Sequence, residues 1–75
     1  MFSKEDYEKF IIKTAKAFVL GDSRYTYEDF LLFTQACIQY KTIYGEAGLS
    51  KMGIYVTHKG FDEINIYINL VNLFL

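Results

Sequence analysis

The chain has 75 residues, enough for one domain, and its 8 Lys+Arg against 9 Asp+Glu leave a net charge of −1. With 52% apolar residues it is too hydrophobic for a disordered chain, and its near-neutrality gives no electrostatic footprint for nucleic acid. One Cys and one His exclude an internal disulfide and a Cys/His zinc site, and no apolar run reaches the ~18 residues of a membrane span.

The charged N-terminal segment Phe2–Lys9 is unlike a signal peptide, so a cytoplasmic, reducing location is expected. The same segment opens a helix. Ser3 is an N-cap whose hydroxyl can accept from a free backbone N–H one turn in, and Asp6 can reach back to it. Glu5 and Asp6 suit the positive end of the helix, and Phe2 can staple onto Tyr7. Helix 1 is predicted over residues 4–20. Tyr7, Phe10, Ile11, Thr14 and Phe18 form its core face by helical spacing. Glu5, Lys9, Lys13 and Lys16 line the opposite face, with Glu5 and Lys9 in the favourable i,i+4 order. Ile12, Ala15 and Val19 make a minor second stripe. Residues 20–23 read as a C-cap and turn.

Helix 2 starts with nearly the same wording. Tyr25-Thr26-Tyr27-Glu28-Asp29-Phe30 repeats the cap, the returning carboxylate and the staple, here Tyr25 on Phe30. Convergent cap chemistry explains the likeness, which fades after Phe10 and Phe33. The helix is predicted over residues 27–44 with Gly45 as its stop. Its apolar arc is wide: Phe30, Leu32, Phe33, Ala36, Cys37, Tyr40, Ile43 and Tyr44. Leu31 and Ile38 lie outside even that. A helix so apolar is expected to be covered on two sides, by helix 1 and by the C-terminal third or a partner.

Residues 45–52, with Gly45 and Gly48, read as a loop. Two runs with strand character follow. Ile54-Tyr55-Val56-Thr57 is the shorter, and residues 63–70 alternate apolar and polar without a break. A helix over the second run would place Ile66, Leu70 and Leu73 inside a polar arc, and its β-branched content favours a strand. The pair reads as a hairpin over residues 53–70, turning across His58-Lys59-Gly60-Phe61-Asp62. Ile54, Val56, Ile64, Ile66 and Ile68 would face the helices. Tyr55, Thr57, Asn65, Tyr67 and Asn69 would face outward. Residues 71–75 form an apolar tail. The expected fold is therefore a single α+β domain, two antiparallel-packed helices followed by a β-hairpin.

The candidate chemical groups all have plainer readings. His58 stands near the expected turn, with no Ser, Cys or carboxylate at triad spacing, and reads as a solvated loop histidine. Cys37 falls on the buried arc and reads as a small hydrophobe. The carboxylate pairs Glu5/Asp6 and Glu28/Asp29 are explained by the helix starts. Asp62/Glu63 lacks a calcium-loop pattern, and residues 45–52 lack the order of a phosphate loop. The expectation is a protein that is not an enzyme, with no cofactor and no metal.

The apolar surplus is the more telling feature. A domain this small buries only ~60% of the surface its unfolded chain exposes. Seven Phe and seven Tyr exceed what one small core easily hides. A contiguous exposed patch marks an interface. A homo-oligomer, or a grip on a larger protein, is expected. The candidate partner-binding residues are Tyr55, Thr57, Asn65, Tyr67 and Asn69 on the outer hairpin face, Ile12 and Val19 on helix 1, and Leu73, Phe74 and Leu75 in the tail.

The chain is rich in Phe, Ile, Tyr and Lys and poor in Ala, Arg and Pro. In this bias it resembles the small accessory proteins of phages and mobile elements, a resemblance of composition that covers no motif. It implies a non-catalytic interaction module, such as an inhibitor that binds a larger host protein, defence complexes included. The alternative is a small dimeric winged-helix-like DNA-binding regulator, since two helices and a hairpin share that outline. Against it stands the shortage of cations: helix 2 offers only Lys41 in its body.

Overall fold

The computed structural model describes residues 2–59 and 63–75. It contains α1 (Lys4–Val19), α2 (Tyr27–Tyr44), α3 (Glu46–Lys51), β1 (Ile54–Lys59), β2 (Glu63–Ile68) and α4 (Leu70–Phe74). The expected α+β arrangement of two packed helices and a hairpin is present. Gly60, Phe61 and Asp62, in the expected turn, lie outside the described residues.

Both long helices begin with the chemistry their sequences announce. Ser3 Oγ accepts from the Asp6 N–H at 3.1 Å while the Ser3 N–H donates to Asp6 Oδ2 at 3.1 Å. Thr26 and Asp29 form the same reciprocal box, with the Thr26 N–H donating to Asp29 Oδ2 at 2.7 Å. Two otherwise orphaned donors are satisfied at each start. The Phe2 and Tyr7 rings meet at 5.7 Å, as a staple should. Tyr25 does not repeat that contact. Its ring sits 5.6 Å from Phe18, because the end of α1 lies against the start of α2.

That placement makes the two helices antiparallel. Phe18 stacks edge-on against Phe30 at 5.5 Å at one end, and Tyr7 meets Tyr44 at 6.5 Å at the other. The reversal uses Gly21 at φ +71°, with the Asp22 N–H bonded to the Ala17 carbonyl and the Gly21 N–H to the Phe18 carbonyl. This is a Schellman closure, which needs the left-handed conformation glycine adopts cheaply. Gly45 ends α2 at φ +89°.

The core gathers Ile11 and Ala15 of α1, Phe33, Ala36, Cys37 and Tyr40 of α2, Leu49 and Met52, Ile54 and Val56 of β1, and Leu73 of α4. Thr14 and Thr34 are also buried. Each returns its hydroxyl to a carbonyl one turn back, Phe10 at 2.7 Å and Phe30 at 2.9 Å, so neither is left unsatisfied. Two details of the expected packing are corrected. Ala15 belongs to the core of α1 rather than to a second stripe, and Phe10 stands at its exposed margin. In α2, Phe30, Leu32, Ile43 and Tyr44 of the apolar arc are exposed, because α1 and the C-terminal elements cover only part of a helix that is apolar nearly all round.

The hairpin pairs Ile54 with Ile68, Tyr55 with Tyr67, Val56 with Ile66 and Thr57 with Asn65. Ile54 and Val56 are buried, Ile66 and Ile68 half-buried and Ile64 exposed at the end of the same face, while Tyr55, Thr57, Asn65 and Tyr67 are exposed on the other, as expected for these residues. Boundaries change at several places. Strand β1 runs on to Lys59, so His58 and Lys59 lie in the strand rather than in the expected turn. Residues 45–52 hold the short helix α3 rather than a loop. Strand β2 ends at Ile68, before the expected Leu70. Residues 70–74 fold as α4 rather than trailing as a tail. Asn69 causes the last two changes. Its Oδ1 accepts from the Val71 and Asn72 N–H groups, which makes it an N-cap and not an outward strand residue.

Candidate functional site

Three surfaces with exposed apolar groups bear on the candidate residues or lie beside them. The first is the outer face of the hairpin. Tyr55 and Tyr67 stand directly opposite each other, with Thr57 opposite Asn65 beside them, and all four are exposed. Directly opposed side chains in an antiparallel pair sit close enough to act as one surface. Tyr67 is 62% exposed, so its ring contributes little to the core. Among the described residues no helix covers these four side chains.

The second surface lies between α1 and α2. Phe2, Tyr7, Phe10, Leu32 and Ala36 line a hollow of about 310 Å³, with Asp6, Gln35 and Gln39 around it. The Tyr7 hydroxyl donates to Gln39 Oε1 at 3.0 Å and ties its rim together. None of these residues was a candidate from sequence, where Phe10 and Leu32 counted as core. The available signal was the excess width of the α2 arc over what its two covers could bury.

The third surface, between α1, the end of α2, α3 and the C-terminal residues, is a hollow of about 430 Å³ lined in part by Ile12, Leu73 and Leu75. Lys4, Lys16 and Lys51 also line it. Among the described residues none of the three has a carboxylate within ion-pair distance, unlike Lys9 with Glu5 and Lys41 with Glu46. Lys4 lies over the Tyr44 ring at 5.6 Å and Lys16 over Phe74 at 5.3 Å. Glu8 sits among them and accepts from the Tyr40 hydroxyl at 2.6 Å.

The ten candidate residues are thus divided. Tyr55, Thr57, Asn65 and Tyr67 form one face. Ile12 and Leu75 belong to the lysine-lined hollow, and Phe74 packs under Lys16. Val19 stands apart at the end of α1. Leu73 is 4% exposed and is core, because α4 turns it inward against α1. Asn69 is occupied as a cap.

The groups with chemical potential are placed as follows. His58 is on β1 opposite Ile64, exposed, rather than in a loop. Cys37 is fully buried, and burial pushes its thiol up to about 12, so it is not a thiolate at neutral pH. Asp6 and Asp29 are consumed by the helix caps. Hydrogen bonds from Ser3 hold Asp6 below its usual range. Hydrogen bonds from the Arg24 guanidinium and N–H draw Asp22 down to about 2. Among the described residues no three of His, Cys, Asp and Glu come together as metal ligands, and no helix is long and apolar enough to cross a membrane. Comparison with known proteins finds no matching family model, no similar curated protein and no matching solved structure.

Proposed function

We propose that the chain is a non-catalytic protein-interaction module that works by covering part of a larger protein. Its concrete form is a small inhibitor of a host protein, of the phage and mobile-element type that its composition resembles. One observation carries the reading: on the outer hairpin face Tyr55 stands opposite Tyr67 with Thr57 opposite Asn65 beside them, four uncharged residues that are all exposed. Tyrosine supplies large contact area with few rotatable bonds, and its hydroxyl tolerates water when the partner is absent. The opposite face holds the sheet in place through Ile54 and Val56 in the core, so the tyrosines stand on a fixed platform.

The alternative reading as a DNA-binding regulator has less to support it. The helix before the hairpin, α3, is six residues long, and its one cation, Lys51, shares that helix with Glu46. A groove-reading helix needs more length and more cations than this.

The test is capture of a host protein by the tagged chain, compared between wild type and Tyr67→Ala, alongside thermal unfolding of both. Loss of the captured protein with nearly unchanged unfolding is expected. Capture that survives the substitution, or a large loss of stability, would overturn the reading. Salt-sensitive DNA retention would instead favour the regulator.

A further inference from the structure

We propose that β2 pairs with β2 of a second copy of this chain, joining two hairpins into one four-stranded antiparallel sheet. The argument begins with which backbone groups point where. The Asn69 N–H donates to the Gly53 carbonyl at 2.7 Å. In the observed register that contact makes Gly53 and Asn69 a hydrogen-bonded pair, and the ladder then alternates. Tyr55 with Tyr67 and Thr57 with Asn65 are also bonded pairs. Ile54 with Ile68, Val56 with Ile66 and His58 with Ile64 are not, so their N–H and C=O groups point away from the hairpin. An independent contact agrees: the Val56 carbonyl points outward from β1 and receives Lys41 Nζ at 2.9 Å.

The two edges are therefore unlike. On β1, Lys41 occupies an outward carbonyl and α3 packs nearby. On β2, the outward groups of Ile64, Ile66 and Ile68 have no partner among the described residues. Their side chains, with Phe18, Phe30, Leu31, Phe33 and Thr34, line an apolar hollow of about 270 Å³. Ile64 is 40% exposed there. An unpaired edge beside an exposed apolar patch is a template for strand addition.

The sequence of β2 suits a second copy. With Ile66 opposite Ile66 of the second copy, Ile64 falls opposite Ile68, and all three outward residues find bonded partners. Glu63 then lies opposite Asn69 rather than opposite another Glu63, so no like charges meet. Asn65 falls opposite Tyr67 on the outer face. Three bonded pairs give about six hydrogen bonds. At about one per 100–200 Å² that corresponds to about 600–1,200 Å², the low end for a specific interface. A concentration-dependent dimer follows. The two-fold axis stands perpendicular to the sheet, so both tyrosine faces would lie on one side and present a doubled surface. The pairing does not depend on that surface having a partner.

The experiment measures mass by light scattering over a dilution series, and amide exchange in the full chain at both ends of it. The expected result is a shift from twice 8.8 kDa towards 8.8 kDa on dilution. The Ile64, Ile66 and Ile68 amides should exchange slowly only in the concentrated sample, while the Tyr55 and Tyr67 amides, bonded within the hairpin, do not change. Ile64→Lys should give a folded monomer. A monomer at every concentration overturns the pairing and leaves the proposed module untouched. A dimer whose Ile64, Ile66 and Ile68 amides stay unprotected overturns it too, since another face would then be the interface. If Ile64→Lys unfolds, the wild-type amide exchange decides.

Discussion

Gly53 and Asn69 meet backbone to backbone at the base of the hairpin. The Asn69 N–H donates to the Gly53 carbonyl at 2.7 Å, and the Asn69 carbonyl accepts from Leu73 at 3.0 Å. Gly53 has φ +82°, and a Cβ built on it would stand 2.5 Å from the Asn69 oxygen. One small residue thus joins α3, the sheet and α4.

Gly53→Ala should therefore be costly. The left-handed conformation alone costs about 1–2 kcal/mol for a residue with a Cβ. The neighbouring backbone has no flexible atom to yield, so a total loss of about 2 kcal/mol or more is expected in urea unfolding. Gly21→Ala is the control. Its φ of +71° carries the same conformational cost, but nothing lies within 4 Å of the added carbon. Equal losses in the two variants would mean that the close approach at Gly53 is unimportant.

Alkaline pH should unfold the protein through two buried side chains. Burial pushes the Cys37 thiol up to about 12 from an ordinary 9.0. Burial and the hydrogen bond to Glu8 push the Tyr40 hydroxyl up to about 12 from 10.0. Each neutral form is favoured by folding. The stability linked to it is fully present below the unfolded value and is lost as pH rises towards the folded one. The melting temperature should hold up to about pH 9 and then fall steadily towards pH 12. Tyr40→Phe removes one of the two groups and should flatten that fall. It should also lower stability at pH 7 by about 1–2 kcal/mol, through loss of the bond to a carboxylate.

The parts of the fold that were legible in the sequence are those fixed by neighbours along the chain. Ser3 with Asp6, and Thr26 with Asp29, lie three residues apart, so the caps could be read without any tertiary knowledge. The alternation of Ile64, Ile66 and Ile68 with Asn65 and Tyr67 set the sheet faces in the same way. The helices at 46–51 and 70–74 are not legible in the sequence, because six and five residues hold too few turns to show a period. Asn69 looked like one more polar step in the alternation, and only its contacts with Val71 and Asn72 reveal a cap. The outer tyrosine face was legible for the same reason as the sheet. The groove at Phe10 and Leu32 was not, since pattern alone does not say which apolar residues of an over-wide arc stay uncovered.

Lys41 should protect β1 more than it serves the ion pair it makes. Its Nζ lies 2.9 Å from the Val56 carbonyl and 3.2 Å from Glu46 Oε1, whose side chain is largely exposed. An exposed pair contributes about 0–1 kcal/mol. The carbonyl contact fills a position at which a foreign strand could bond. Lys41→Met should cost about 1 kcal/mol in urea unfolding and raise light scattering on storage at high concentration. Glu46→Gln should do neither. If the two variants behave alike, the ion pair and not the edge contact is what Lys41 provides.

Leu73 and Leu75 stand two residues apart and are placed oppositely. Leu73 is 4% exposed and belongs to the core, whereas Leu75 is 96% exposed. Truncating a buried Leu costs about 2–5 kcal/mol, because lost burial is compounded by the cavity left behind. Leu73→Ala should fall in the lower half of that range, since α4 is a single short helix at the periphery and can settle inward. Leu75→Ala should leave thermal unfolding within about 0.5 kcal/mol of wild type, as surface changes do. A null effect at Leu73 would mean that α4 does not hold its place against α1 in solution. The lysine-lined hollow, which α4 walls through Leu73 and Leu75, would then not persist as a surface. A loss at Leu75 as large as at Leu73 would show instead that this side chain is covered, and the third surface would be an occupied interface rather than an open one.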